Sequence, residues 1–253
     1  MYKRQIEWTE SQLSGHGHET HRKQLGRDCA QALEFHDLGM LCLCGVGTNK
    51  LDENLDAHLG NSAGFQNKYG DQDVNSWLKQ VIQECCKTSM NLEAYVLGPY
   101  AIVLDKSVCC FETSPRLTDP LVTYPGTDHT YRRAVHSVIQ VLSHGPVIEV
   151  WVHHAESCKG RGYPPLTREQ TMEYFFDNVS GSGIVGGDLN MSKNGIKTAL
   201  RTWSSRTGHT QEGIDQRFKT WQIHTLPEAK HGDLALTRGL TATQIAATGV
   251  GCN

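Results

Sequence analysis

The chain has 253 residues and a formal net charge of −3, from 24 basic and 27 acidic side chains. This length suits one large domain or two small ones, and the buried core of a domain of this size needs no disulfide or structural metal. The balanced charge argues against a protein that mainly neutralises a nucleic-acid backbone, because that task requires a clustered surplus of Lys and Arg. It leaves room for an enzyme that contacts one or two phosphates. No apolar run reaches the roughly 18–20 residues of a membrane span.

The nine cysteines are an odd number and include no C-x-x-C pair. Several lie in apolar stretches, where cysteine acts as a small hydrophobic side chain. The basic N-terminal segment lacks the apolar run of a secretory signal. Together these features predict an intracellular protein, in a compartment that the sequence does not specify.

Apolar residues recur with helical or strand spacing along most of the chain. In chain order they predict a helix at 22–34, a strand at 39–46, a helix at 74–85, strands at 94–97, 100–104 and 107–111, a hairpin of strands at 134–142 and 147–153, a helix at 167–179, a strand at 183–187, a helix at 195–204, and strands at 217–224, 232–237 and 241–247. Glycine and proline mark several of the boundaries.

Paired strands separated by helices, with hairpins in the middle of the chain, predict an α/β fold. We expect a four-layer sandwich, in which two packed mixed β-sheets are flanked by helices. A Rossmann fold would require more regular alternation than the stretch 94–153 shows. Because no repeat or low-complexity linker divides the chain, residues 1–253 are interpreted as a single domain.

The segment Gly186–Asn190 follows directly on an apolar strand. A strand end is a rigid place for a carboxylate, and glycines allow backbone and ligand to approach closely. Asn190 can therefore direct an amide toward whatever Asp188 contacts. An ordinary polar turn after a strand is the alternative, since Asp and Asn are common turn residues.

A second candidate is the histidine pair His153 and His154, at the end of another strong strand. Such a pair can bind phosphate, donate a proton or hold a metal. One buried and one exposed histidine without a chemical role is the alternative. The histidine-rich stretch 16–21 lacks the ligand spacing of a structural zinc site, so solvent-exposed histidines are the better interpretation there.

Taken in order, these segments resemble the endonuclease/exonuclease/phosphatase superfamily over roughly residues 20–247. Segment 41–47 is similar to its L-x-L-Q-E-V strand, 150–157 to its strand ending in histidine, and 167–179 to the helix that follows. Segment 184–190 matches the G-D-x-N signature closely, and 232–240 resembles the I-D-Y-I-x-x-S-x-x-L strand.

The resemblance implies a phosphoesterase in which a metal, usually magnesium, helps an activated water attack a phosphate ester. It assigns His154 to the phosphate-binding or proton-donating position and Asp188 to the water-activating carboxylate. Asn190 becomes the orienting partner of Asp188, and Asp233 the carboxylate that fixes the terminal catalytic histidine. The implied ligand is a phosphate ester, nucleic acid included.

The sequence departs from the family pattern at three places. The metal-binding Glu aligns with Gly45, positions 10–14 offer no asparagine, and no S-D-H follows the strand at 241–247. We therefore assign no metal ligand and expect magnesium binding to be weak or absent. The domain is expected to lack its last strand, which would leave the sheet edge at 241–247 uncovered.

Three functional interpretations follow from this pattern. The first is a phosphoesterase- or nuclease-like domain with impaired or no metal-dependent hydrolysis. The second is an active hydrolase in which other carboxylates, such as Glu19, Asp52 or Glu53, replace the missing ligands. The third is a non-catalytic α/β module that binds a ligand or partner. Gly45 favours the first and third over the second.

Overall fold

A computed structural model of the chain describes residues 18–35, 39–43, 81–87, 91–97, 100–118, 121, 134–142, 144–153, 155, 166–206, 212, 220–225 and 233–240. The helices are α1 (His18–Phe35), α2 (Leu166–Asn178) and α3 (Lys193–Arg206), and residues 81–86 are also helical. The strands are β1 (Met40–Leu43), β2 (Leu92–Leu97), β3 (Tyr100–Asp105), β4 (Cys109–Leu117), β5 (Val135–Val141), β6 (Val147–Val152), β7 (Gly183–Asp188), β8 (Trp221–Thr225) and β9 (Asp233–Arg238).

The strands form two sheets. The first has three antiparallel strands in the order β1-β3-β2, and the second has six in the order β4-β5-β6-β7-β9-β8. Within the six-stranded sheet, β6 and β7 are parallel, while the other neighbouring pairs are antiparallel. A parallel pair requires a crossover connection, and the chain between β6 and β7 contains α2.

Alternating side chains divide the interior into three apolar cores. In β3, Tyr100 and Ile102 pack in a core shared with β5, β6 and β7, whereas Ala101 and Val103 pack with α1 and the helical residues 81–86. A third core joins the outer face of the six-stranded sheet to α2 and α3. The order is therefore helix, sheet, sheet, helix, which confirms the predicted four-layer α/β sandwich.

The chain passes from one sheet to the other in the tight turn between β3 and β4. Asp105 Oδ1 accepts hydrogen bonds from the backbone N–H of Ser107 at 2.8 Å and from its hydroxyl at 2.6 Å. Just after the turn, the Cys109 thiol donates to the Gly39 carbonyl at 2.9 Å. Burial is the main cause that raises the pKa of Cys109 to about 12, so this thiol stays protonated and structural.

The strand predicted at 107–111 begins later and extends much further, to Leu117. It continues through Pro115 because β4 pairs only with β5 among the described strands, and the pairing shifts between Phe111 and Arg116. An edge position and an irregular register are where a strand tolerates proline.

Apart from one residue, the remaining predicted elements agree with the structure in type where it describes them. The helix predicted at 22–34 begins earlier, at His18, and the strand predicted at 217–224 begins only at Trp221, because residue 220 is helical. Residues 44–46, 74–80, 217–219 and the predicted strand 241–247 lie outside the described residues. No helix within the described ranges is long and apolar enough to cross a membrane.

Candidate functional site

The candidate site lies where the parallel strands β6 and β7 end together. Val152 pairs with Gly186 as the last residue of β6, and hydrogen bonding to β7 continues beyond it. The His153 N–H donates to the Gly186 carbonyl at 2.9 Å, and the Ala155 N–H donates to the Asp188 carbonyl at 2.7 Å. The chain on both sides of position 154 is thus attached to the end of β7.

Gly187 makes this close pairing sterically possible. Its φ is +147°, and a Cβ built at this position would lie 1.5 Å from the His153 carbonyl oxygen. No side chain fits in that distance, because non-bonded carbon and oxygen atoms normally stay more than 3 Å apart. Glycine is therefore required for β7 and the segment after β6 to approach each other as they do.

Asp188 and Asn190 are joined by a local turn. Asp188 is 6% exposed, and its Oδ1 accepts a hydrogen bond from the Asn190 N–H at 2.9 Å. Asn190 has φ +46°, in the left-handed region that asparagine tolerates better than most residues. Its side-chain amide donates to the Ala155 carbonyl at 2.5 Å. The Asn190 amide thus binds the segment that follows His153.

The fourth predicted residue, Asp233, is the first residue of β9. Its Cα is paired with that of Asp188 in the antiparallel register. The structure therefore brings Asp188, Asn190 and the backbone of Asp233 to one end of the six-stranded sheet. His154 lies outside the described residues. Its two sequence neighbours, His153 and Ala155, are both hydrogen-bonded to the end of β7.

The other member of the histidine pair, His153, is buried. It is 3% exposed, and its ring contacts that of Phe175 edge to face, with 5.7 Å between the ring centroids. Phe175 belongs to α2 and to the outer core. His153 therefore packs between the sheet and α2.

Magnesium requires oxygen ligands, of which one or two are usually carboxylates. Within the described ranges, no three His, Cys, Asp or Glu side chains lie close enough together to hold a metal ion. Gly45, Asp52 and Glu53 lie outside those ranges, as does the side chain of Glu19. The described residues therefore contain no cluster of three such side chains, and position 45, where the family's metal-binding Glu would lie, is not among them.

Sequence reasoning missed Arg168, in the first turn of α2. Its guanidinium donates a hydrogen bond to the Asn190 carbonyl, 22 residues further along the chain. No spacing rule relates an arginine to a distant backbone carbonyl. The one available signal was the resemblance of 167–179 to the family's R-x-x-Q helix, a motif that begins with an arginine.

No protein-family model and no curated protein matches the chain, whereas solved structures do. An endonuclease/exonuclease/phosphatase from Bacteroides vulgatus is 11% identical, with TM-score 0.53 over 94% of this chain and 85% of that chain. A functionally unknown conserved protein from Enterococcus faecalis is 13% identical, with TM-score 0.51 over 93% and 84%. A mannosyl-6-phosphatase from Bacteroides thetaiotaomicron is 10% identical, with TM-score 0.50 over 89% and 81%.

At sequence identities this low, the structural similarity shows a shared fold alone. The alignments extend over most of both chains. The four layers and the strand end that carries Asp188 are the features that the sequence motifs led us to expect. The chain has the fold of the endonuclease/exonuclease/phosphatase superfamily.

Proposed function

We propose that this chain is a phosphoesterase- or nuclease-like domain that binds a phosphate ester at the shared end of β6, β7 and β9. We further propose that its magnesium-dependent hydrolysis is impaired or absent. The observation that carries the proposal is the hydrogen-bonded junction of Ala155, Asp188 and Asn190. It holds the two best candidate segments of the sequence at one end of the sheet.

The proposed roles follow from chemistry at that junction. His154 would contact a phosphate oxygen or donate a proton, and Asp188 would accept a proton from an attacking water. Asn190 would hold both segments in place, and Asp233 would supply a second carboxylate on β9. A mannosyl-6-phosphatase of similar fold acts on a phosphate ester, which supports this ligand class.

Weak hydrolysis is proposed because position 45 carries no side chain. In this fold the resemblance places the metal-binding Glu there, and a glycine cannot replace its oxygen atoms. Losing one oriented catalytic group typically lowers a rate by about 10²–10⁴. Loss of metal stabilisation of the transition state raises the activation free energy by several kcal/mol more. A domain in which both are lost would still bind a phosphate ester.

The proposal is tested by measuring binding and turnover separately on the full chain. The probe is p-nitrophenyl phosphate, with bis(p-nitrophenyl) phosphate as the diester, each with and without magnesium. Binding is measured by calorimetry and turnover by release of nitrophenol. His154→Ala tests the proposed phosphate contact and Asp188→Asn the proposed base. Glu112→Gln, an exposed acid on β4, is the matched control for loss of a carboxylate.

We expect binding that weakens about tenfold in His154→Ala, as for a lost charge-assisted hydrogen bond, and stays within about twofold in Glu112→Gln. Turnover should not exceed that of Asp188→Asn at any magnesium concentration. Failure of the chain to bind either ester would refute the ligand class and favour a module with another partner. Magnesium-dependent turnover that is lost in Asp188→Asn would show an active hydrolase instead.

A further inference from the structure

The first turn of α2 reaches the candidate site through one side chain. Arg168 is half-buried, and its guanidinium donates a hydrogen bond to the backbone carbonyl of Asn190. Among the described residues, no acidic side chain forms an ion pair with it. An arginine in such a place, bound to a neutral carbonyl beside Asp188, is not explained by helix packing alone.

Asn190 is held at three points at once. Its N–H binds Asp188 Oδ1 at 2.9 Å, its side-chain amide binds the Ala155 carbonyl at 2.5 Å, and its carbonyl binds Arg168. This residue also has a positive φ, which persists only where the surroundings determine it. Arg168 is the one member of the set that comes from a helix, so it connects the turn to the rigid outer layer.

Asn190 also holds the segment that follows β6. Asn190 binds the Ala155 carbonyl, and the Ala155 N–H binds the Asp188 carbonyl at 2.7 Å. A rotation of Asn190 would therefore release one of the two described attachments of Ala155. Ala155 directly follows the candidate His154 in the sequence.

We propose that Arg168 is a positioning residue, which fixes Asn190 and through it the backbone at Ala155, the residue that follows the candidate His154 in the sequence. This inference rests on the proposed function, because it gives Arg168 the task of setting the geometry of the phosphate-ester site. Its planar guanidinium suits the role, since several N–H donors point in fixed directions, whereas a lysine ammonium acts as a compact charge on a flexible chain. The positive charge also complements an anionic ligand at this end of the sheet.

The experiment compares Arg168→Ala and Arg168→Lys with the wild-type full chain by ¹H–¹⁵N NMR. The main readouts are the side-chain amide signals of Asn190 and the backbone amide signal of Ala155. The affinity for inorganic phosphate and the melting temperature are measured on the same samples. Arg206→Ala is the matched control, because Arg206 also contacts α2, through an ion pair with Glu173, but lies outside the junction.

In Arg168→Ala we expect the Asn190 side-chain amide signals to move toward those of a free amide and the Ala155 signal to shift. Phosphate affinity should fall about tenfold, as for loss of a charge-assisted hydrogen bond, with Arg168→Lys intermediate. Arg206→Ala should leave these signals and the affinity unchanged, even where its melting temperature falls. If Arg168→Ala does not fold, Arg168→Lys decides by the same signals.

The positioning role is overturned if the Asn190 and Ala155 signals of a folded Arg168 variant coincide with those of the wild type. It is equally overturned if Arg206→Ala moves them as much. If the wild-type chain does not bind phosphate, the proposed function fails, and the NMR signals still decide whether Arg168 positions Asn190. The two failures are therefore distinguishable.

Discussion

Gly187 determines how closely the two strands of the site approach each other. A methyl group at this residue would meet the His153 carbonyl oxygen at 1.5 Å, and the φ of +147° is one that residues with a side chain rarely adopt. We expect Gly187→Ala to lower the free energy of unfolding by roughly 3 kcal/mol or more. Urea denaturation followed by circular dichroism measures this change.

Gly195 in α3 is the matched control for that substitution. A methyl group there would have its nearest contact at 3.4 Å, with Met191, which is ordinary van der Waals distance. Because alanine favours helix over glycine, Gly195→Ala should stabilise the chain by up to about 1 kcal/mol. Equal effects of the two substitutions would show that Gly187 has no special steric role.

His136 predicts a pH dependence of stability. Its ring stacks on Trp151 with 4.0 Å between centroids, and its Nε2 lies 4.0 Å from Glu149 Oε2. Burial lowers its pKa below the ordinary 6.5, Glu149 opposes this and Arg116 adds to it. As pH falls below 6.5, the unfolded chain binds the proton first, so stability is lost between 6.5 and the lower folded pKa.

We expect His136→Phe, which keeps an aromatic ring against Trp151 and removes the titratable group, to lose less stability than the wild type when pH drops from about 7.5 to about 5.5. Part of the loss will remain, because burial and Lys193 also lower the pKa of His224. Urea denaturation at both pH values gives the comparison. Parallel stability curves for the two proteins would contradict the assignment to His136.

Asp188 and Asn190 could be chosen as candidates from sequence because two short-range signals coincide there, an apolar strand and a turn-forming pair of polar residues. The pairing of Asp188 with Asp233 and the hydrogen bond from Arg168 could not. Both join residues far apart in the chain, and such contacts leave no periodic pattern. The same is true of the contact between Gly187 and His153. A glycine in the sequence indicates a close approach but does not identify the neighbouring residue.

At the scale of elements, α2 and α3 are joined by a specific pair of contacts. Trp203 donates from Nε1 to Asp177 Oδ1 at 2.6 Å, and its ring lies 5.4 Å from that of Phe176. Trp203 is almost fully buried in the outer core. The two helices therefore cover the six-stranded sheet as one layer, and α2 carries Arg168 at its first turn.

We expect Trp203→Ala to cost roughly 3–5 kcal/mol of unfolding free energy, because it leaves a large cavity in the outer core, whereas the exposed Asp177 can bind water instead. Trp203→Phe keeps most of the ring and should lose about 1 kcal/mol for the hydrogen bond, plus a smaller packing loss. Thermal and urea denaturation measure both. Similar stability of the alanine and phenylalanine variants would indicate that this layer can repack around the site.

Most elements could be predicted from spacing alone, since amphipathic periodicity is a local property. In α2, Met172, Phe175 and Phe176 repeat at helical intervals and are buried together. Strand β4 was harder to predict, because it lies at the sheet edge and its residues alternate irregularly between exposed and buried. Its Pro115 would have argued against a strand, and the observed edge position and register shift explain why it is tolerated.

For the whole molecule, the layers place the site on the most enclosed strands. Both β6 and β7 have a neighbouring strand on each side and apolar cores on both faces, whereas β4 and β8 are edges among the described strands. Hydrogen exchange should therefore be slowest in β6 and β7 and faster in β4 and β8. Faster hydrogen exchange in β7 than in β8 would contradict the view that Asp188 lies at the end of a rigid strand.

The layer order was predictable because helices and paired strands alternate, but the sheet order was not. The sequence does not reveal that β9 inserts between β7 and β8, since adjacent strands in a sheet need not be adjacent in the chain. This insertion is what brings Asp233 opposite Asp188.

The most direct test of the proposed site is a titration of the full chain with inorganic phosphate, followed by backbone ¹H–¹⁵N shifts. A phosphate ester site at the shared end of β6 and β7 predicts saturable changes that are largest at residues 153–155 and 187–190. In His154→Ala these changes should require about tenfold more phosphate to reach saturation, while the rest of the spectrum stays that of the folded chain. Saturable changes elsewhere on the molecule, or none at all, would contradict the site.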